Sequence, residues 1–223
     1  METITQRRIT AVALALFAVA SFAFVLLAPE LPDNRAEWPA ATAQAPLRSA
    51  LSVHLFIWSQ PAFAVGAVGL AAWLRPHSPK LATIGGAFGF LAAFMHIVPG
   101  SWSLTQVSMG AHPEHYAVYG QLIEAQEASP HMLPYFMLGL GMVVSVILLG
   151  IAHFRSRLPM RWAGPVLWAW VVVEFLGTGL FAWAPALSGA LLVLGVGGLI
   201  AGLVREPARQ PAFVSAQPAA EMN

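Results

Sequence analysis

Residues 162–204 read WAGPVLWAWVVVEFLGTGLFAWAPALSGALLVLGVGGLIAGLV, and Glu174 is the single charged residue among them. A helix needs about 20 mostly apolar residues to cross the roughly 30 Å hydrocarbon core of a bilayer. The stretch is long enough for two such helices joined at Ala184 and Pro185, which predicts a tight antiparallel hairpin. It therefore places the chain among multi-pass membrane proteins.

The composition of the whole chain favours the same class. Of its 223 residues, 58% are hydrophobic and 9% are charged, whereas soluble domains carry about 25% charged residues. The net charge of +1 lacks the clustered basic excess of a nucleic-acid-binding protein, and the apolar content excludes intrinsic disorder. Because the chain has no cysteine, disulfides, thiolate nucleophiles, iron–sulfur clusters and covalently attached haem are excluded.

Six stretches are long and apolar enough to span a bilayer, and none has the alternating pattern of an outer-membrane β-barrel. The prediction is an all-α, polytopic integral membrane protein: a single six-transmembrane-helix bundle over residues 1–204, then a disordered cytoplasmic tail over residues 205–223. The predicted spans 1 to 6 cover residues 9–28, 49–74, 81–99, 131–153, 162–183 and 185–204.

The positions of lysine and arginine predict the orientation, because these residues concentrate in cytoplasmic segments. With both termini in the cytoplasm, only Arg35 and Arg48 of the eleven basic residues lie outside. We therefore predict a multi-pass protein of a cytoplasmic-type cell membrane. The nine basic residues predicted inside are Arg7, Arg8, Arg75, Lys80, Arg155, Arg157, Arg161, Arg205 and Arg209.

Span 1 has two interpretations. Arg7 and Arg8 precede an apolar run, and residues 43–45 have the small-x-small form of a signal-peptidase site. The apolar run is longer than the hydrophobic region of most signal peptides, and the site lies well downstream of it. A retained membrane anchor is therefore preferred to a cleaved signal peptide.

The second outer loop has a helical pattern of its own. Pro113 suits the first position of a helix, and Tyr116, Tyr119 and Ile123 recur at helical spacing. We predict a short amphipathic helix over residues 113–128, either as a lid on the bundle or as a helix on the membrane surface.

Glu174 is the first functional candidate, because a charge at the bilayer centre costs roughly 2.5–3.5 kcal/mol on insertion scales. It lies nine residues before the end of span 5, about 14 Å deep at the helical rise. Gln60 lies at similar depth in span 2, beside Pro61, and its amide can donate to and accept from a carboxyl group. We expect Gln60 and Glu174, with Tyr135 of span 4, to bind a ligand or relay a proton. The alternative is a carboxyl group that bonds to a neighbouring helix and only stabilises the fold.

Histidines are concentrated on the predicted outer side. His54, His96 and His131 lie near the outer ends of three spans, and together with His115 or Glu114 they predict a metal site. In a second interpretation, His54 and His96 are the axial ligands of a b-type haem. In a third, each imidazole is an interfacial hydrogen-bonding group without a ligand.

Three functions remain open at this level. The preferred one is a small-molecule or ion binding or transport-type protein with an outward-facing polar cavity and no catalytic residue. The second is a haem- or metal-binding redox protein or electron-transfer subunit. The third is a structural or assembly subunit that docks to partner membrane helices through glycine faces. The glycine pairs in question are Gly85 with Gly89 and Gly198 with Gly202.

Overall fold

The computed structural model describes residues 4–177 and 180–205. Its described residues form helices and no β-strand, which confirms the predicted all-α membrane fold. The predicted tail lies outside the described residues, except for Arg205. The α-helices of the described chain are α1 Ile4–Leu27, α2 Trp38–Ala43, α3 Pro46–Leu74, α4 Pro79–Met109, α5 Tyr116–Glu127, α6 Leu133–Gly139, α7 Gly141–Arg155, α8 Ala163–Val172 and α9 Ala184–Arg205.

Among the described residues, five helical segments are long and apolar enough to cross a membrane. They are α1, α3, α4, the nearly continuous α6 and α7, and α9. Their bounds agree with predicted spans 1, 2, 4 and 6 to within a few residues. Span 3 is longer than predicted, because α4 continues through Pro99 to Met109. At 31 residues, α4 is about 46 Å long and extends well beyond a 30 Å hydrocarbon layer.

The described part of span 5 contains a π-helical turn. α8 passes into this turn, Val173–Gly177, and the described apolar helix covers Ala163–Gly177. The Leu180 and Phe181 N–H groups donate to the Gly177 carbonyl at 2.9 and 3.0 Å, which begins a turn towards α9. The described helix from Ala163 to Gly177 is about 22 Å long. Apolar composition alone does not predict the π turn within it.

The long helices pack side by side and close into a ring. α3 packs against α1 and α4, α7 lies between α4 and α8, and α9 lies between α8 and α1. Short links make consecutive helices antiparallel, as predicted. One end of the ring, here named the basic end, holds the start of α1, the links at residues 75–78 and 156–162, and the end of α9. The opposite end is named the cap end.

Small residues bring the helices of the ring close together, as is usual in membrane bundles. Gly164 of α8 faces the backbone of Gly150 in α7, and a Cβ atom added to Gly164 would lie 2.7 Å from the Gly150 carbonyl oxygen. The two predicted glycine pairs also pack within the chain. Added Cβ atoms would meet Leu149 at Gly85, Ser145 at Gly89, Ala163 at Gly198 and Pro159 at Gly202.

The predicted amphipathic helix is α5, preceded by a 3₁₀ turn at Pro113–His115. It packs on α2 and on a second 3₁₀ turn, Arg35–Glu37, while α2 packs on the extended end of α4. Ile123 of α5 is fully buried. Residues 35–43 and 113–127 therefore form one small unit, the cap, in which two loops distant in sequence dock on each other. An Arg35–Glu127 ion pair at 2.7 Å adds to this contact.

The Gly164→Ala substitution is expected to destabilise the bundle by about 1–3 kcal/mol, the usual cost of overpacking. The new methyl group would press on a backbone carbonyl, which cannot rotate away as a side chain can. The unfolding midpoint in an SDS titration of the detergent-solubilised protein measures the loss. Gly197→Ala is the matched control, because a Cβ atom there meets nothing within 4 Å. Equal midpoints for the two variants would contradict the Gly150–Gly164 contact.

Candidate functional site

Glu174 lies in the π-helical turn Val173–Gly177. It is eleven residues beyond Ala163, the first residue of α8, or about 16 Å at the helical rise, and its depth near the bilayer midplane stays a prediction. Its Oε2 atom accepts a hydrogen bond from the Ser188 hydroxyl, in the second turn of α9. This bond joins two neighbouring helices, as expected if the Glu174 carboxyl group stabilises the fold. Single π turns occur frequently at functional sites, so a further role for Glu174 stays a prediction.

Gln60 lies in the interior of the ring with 1% of its surface exposed. Its Nε2 atom donates to the Phe56 carbonyl at 3.1 Å and to the Ser59 hydroxyl at 2.9 Å, both on its own helix. Its Oε1 atom has no hydrogen-bond partner among the described residues. No hydrogen bond in the described chain therefore joins Gln60 to Glu174. The two residues lie on α3 and beside α8, which are not neighbours in the ring.

The predicted metal ligands are not brought together. His54, His115 and His131 are exposed on separate elements, and His96 is half-buried against Phe56, with ring centroids 5.9 Å apart. No group of three His, Asp or Glu side chains among the described residues could hold a metal ion. The contrast between exposed His54 and half-buried His96 also gives no support to an axial haem pair. Tyr135 is exposed on α6.

Two histidines of the cap flank a carboxylate. Glu114 Oε1 lies 3.4 Å from His112 Nδ1 and 3.7 Å from His115 Nε2, and all three side chains are exposed. A hydrogen bond from the Glu114 backbone, and then the two imidazoles, hold the pKa of the Glu114 carboxyl group below its usual range. Exposed ion pairs of this kind contribute little stability. The cluster is therefore a surface feature of the cap.

His153 is a buried polar residue that the sequence did not single out. It is fully buried at the basic end, where Nε2 lies 3.2 Å from the Pro159 carbonyl oxygen. Its ring packs at 5.4 Å from the ring of Trp73 in α3. These contacts connect the end of α7 to the following link and to α3. They assign His153 to stabilisation of this end of the bundle.

A cavity lies elsewhere, as a groove of about 960 Å³ between α1, α3 and α4. It extends along the second half of α3 from Pro61 to the basic end. A smaller cavity of about 460 Å³ adjoins it and shares Ile9, Pro61 and Val65. The residues that line the groove are Gln6, Arg7, Ile9, Thr10, Pro61, Ala64, Val65, Val68, Gly69, Ala72, Trp73, Arg75, Pro76, His77, Phe90 and Phe94.

The wall of the groove is apolar and faces away from the interior of the ring. Val65, Val68 and Phe94 are 47–49% exposed, which in a membrane places them against lipid. They lie on one stripe of α3 and on the adjacent face of α4. Ala72 is exposed within the groove, whereas Gly69 packs closely against Thr10 of α1.

The rim of the groove at the basic end is polar. Its residues are Gln6 and Arg7 from the first turns of α1, and Arg75 and His77 from the link after α3. The described lining contains two arginines and no acidic side chain. An apolar wall that ends at a cationic rim is the arrangement that an amphipathic molecule requires.

No protein-family model, curated protein or solved structure matches the chain. Function is therefore inferred from the groove and its rim. The sequence did not predict the groove, because its lining comes from three helices that are far apart along the chain. The one local indication was the spacing of small and branched residues at positions 61, 65, 68 and 72 of α3.

The Glu174–Ser188 hydrogen bond is expected to give a coupling free energy of about 0.6 kcal/mol, with an upper limit near 1.7, in a double-mutant cycle. The cycle combines Glu174→Leu with Ser188→Ala, and SDS unfolding midpoints supply the free energies. Ser101→Ala is the control partner, because the Ser101 hydroxyl donates to the Ile97 carbonyl of its own helix at 2.8 Å. Zero coupling with Ser188→Ala would show that the two side chains do not interact.

Proposed function

We propose that this chain is a multi-pass membrane protein that binds a membrane lipid in the groove between α1, α3 and α4. The single observation that carries the proposal is the cavity of about 960 Å³ with an apolar wall and a basic rim. Ligand sites in proteins usually measure about 300–1,000 Å³ and combine an apolar lining with a few polar groups at fixed positions. The groove meets both criteria.

The proposed ligand is a lipid because the groove opens on the surface of the bundle that faces the bilayer. Its wall residues are half-exposed on the surface of the bundle that contacts the bilayer, so an acyl chain can enter sideways without crossing water. When an acyl chain already in the membrane covers this wall, the polar headgroup of the same lipid lies at the rim. A water-soluble metabolite would instead need an aqueous route to the same surface.

We therefore keep the function preferred from the sequence, that of a binding protein, but assign the ligand to a different site. The groove and the smaller cavity beside it lie along α1 and the second half of α3, whereas the expected polar cavity opened to the outer side. Gln60 and Glu174 do not line either of them. The proposal is that the protein binds a lipid, and it does not include transport of that lipid.

The distribution of basic residues supports an orientation for the proposed site. The basic end holds the residues that the positive-inside rule assigns to the cytoplasm, including Arg7, Arg75 and Arg155. We accordingly propose a cell-membrane protein with both termini in the cytoplasm. The rim of the groove then lies in the cytoplasmic leaflet.

The Ala72→Trp substitution is expected to fill the groove and abolish lipid retention. Ala72 is exposed on α3 within the lining, so an indole group can occupy the cavity without disturbing the core. Native mass spectrometry of detergent-purified protein counts the retained phospholipids. Ala190→Trp is the matched control, because Ala190 is an exposed helical alanine on α9 outside the groove. Lipid retention by Ala72→Trp at the level of the control would refute the site.

The proposed orientation is testable because the chain has no natural cysteine. A cysteine at Ala128, beyond α5, should react with a membrane-impermeant maleimide in intact cells. A cysteine at Ser78, between α3 and α4, should react only after the membrane is permeabilised. The reverse labelling pattern would place the basic end outside.

A further inference from the structure

We infer that the groove selects an anionic phospholipid, whose headgroup phosphate binds between Arg7 and Arg75. This inference rests on the proposed lipid site and specifies the class of lipid that it takes. Three properties of the groove carry it: its length, the position of its rim relative to the helix ends, and the charge of its lining.

The length of the groove matches one leaflet of a bilayer. Its lining on α3 extends from Pro61 to Trp73, about 18 Å at the helical rise. Half of a hydrocarbon core is roughly 15 Å thick. An acyl chain that follows α3 from the rim to Pro61 therefore ends near the bilayer midplane, as the chain of a lipid in that leaflet does.

The rim lies at the depth of lipid headgroups. Arg75 is the C-terminal cap of α3, and its N–H donates to the Ala71 carbonyl at 2.9 Å. The His77 N–H donates to the Leu74 carbonyl at 3.0 Å, which fixes the turn that follows. Arg7 lies on α1, just before its apolar stretch begins at Ile9. The backbone therefore holds both arginines where the hydrocarbon region ends.

The charge of the rim favours an anion. The guanidinium group of arginine binds phosphate oxygens through paired N–H donors, and it keeps its charge at every physiological pH. Basic pockets between helices at the cytoplasmic surface are the usual sites for anionic headgroups. Because the described lining has no carboxylate, it provides no counter-charge for the ammonium group of a zwitterionic lipid.

The test is a competition in nanodiscs made from equal amounts of palmitoyl-oleoyl phosphatidylglycerol and the matching phosphatidylcholine. After transfer to detergent, native mass spectrometry gives the ratio of the two lipids retained by the protein. We expect the wild type to prefer phosphatidylglycerol. Arg75→Gln and Arg7→Gln should each lower that preference about five-fold, the effect of one basic side chain at a membrane surface.

Arg155→Gln is the control, because it removes one exposed positive charge from the last turn of α7, at the same end but outside the groove. Its lipid ratio should equal that of the wild type. An equal loss in Arg155→Gln and Arg75→Gln would overturn the assignment of the rim. Equal retention of the two lipids by the wild type would overturn anion selection, whereas the proposed lipid site would fall only if Ala72→Trp kept both lipids.

Discussion

Inside a bilayer the backbone has no water to bond with, so each N–H and C=O group must find its partner within the protein. This constraint explains why the apolar segments of the described chain are helical, and why α3 and α4 continue across Pro61 and Pro99 instead of breaking there. It also explains the buried side chains that bond to carbonyls of their own helix, as Ser59 and Gln60 do with Phe56. Within the closed ring, small residues are buried where the backbones of two helices come close together.

Two features depart from the regular pattern of helices that this constraint produces: the π turn after α8 and the length of α4. Glu174 lies in the π turn at Val173–Gly177 and accepts a hydrogen bond from Ser188 on the next helix. At 31 residues, α4 is longer than a 30 Å hydrocarbon layer requires. Its extended end supports α2 and, through it, the cap. The loops that contain residues 35–43 and 113–127 thereby pack onto the bundle.

The groove is a consequence of how the ring closes on one side. α1 and α4 flank α3, and the small residues on its outward face leave a channel between them. Since α1 begins and α3 ends at the basic end, Arg7 and Arg75 lie at the rim of this channel. The predicted orientation and the proposed lipid selection thus depend on the same side chains.

Length, apolar composition and the positions of charge determined the membrane class, the helical fold and most helix bounds, because each is a property of a short stretch of sequence. The amphipathic pattern of α5 was visible for the same reason. The sequence also singled out Glu174, whereas only the tertiary structure decided its partner, Ser188, and the separation of the histidines. The groove belongs to this second group. Such features depend on which distant segments become neighbours and on the exact end of each helix, and neither is encoded in a local pattern.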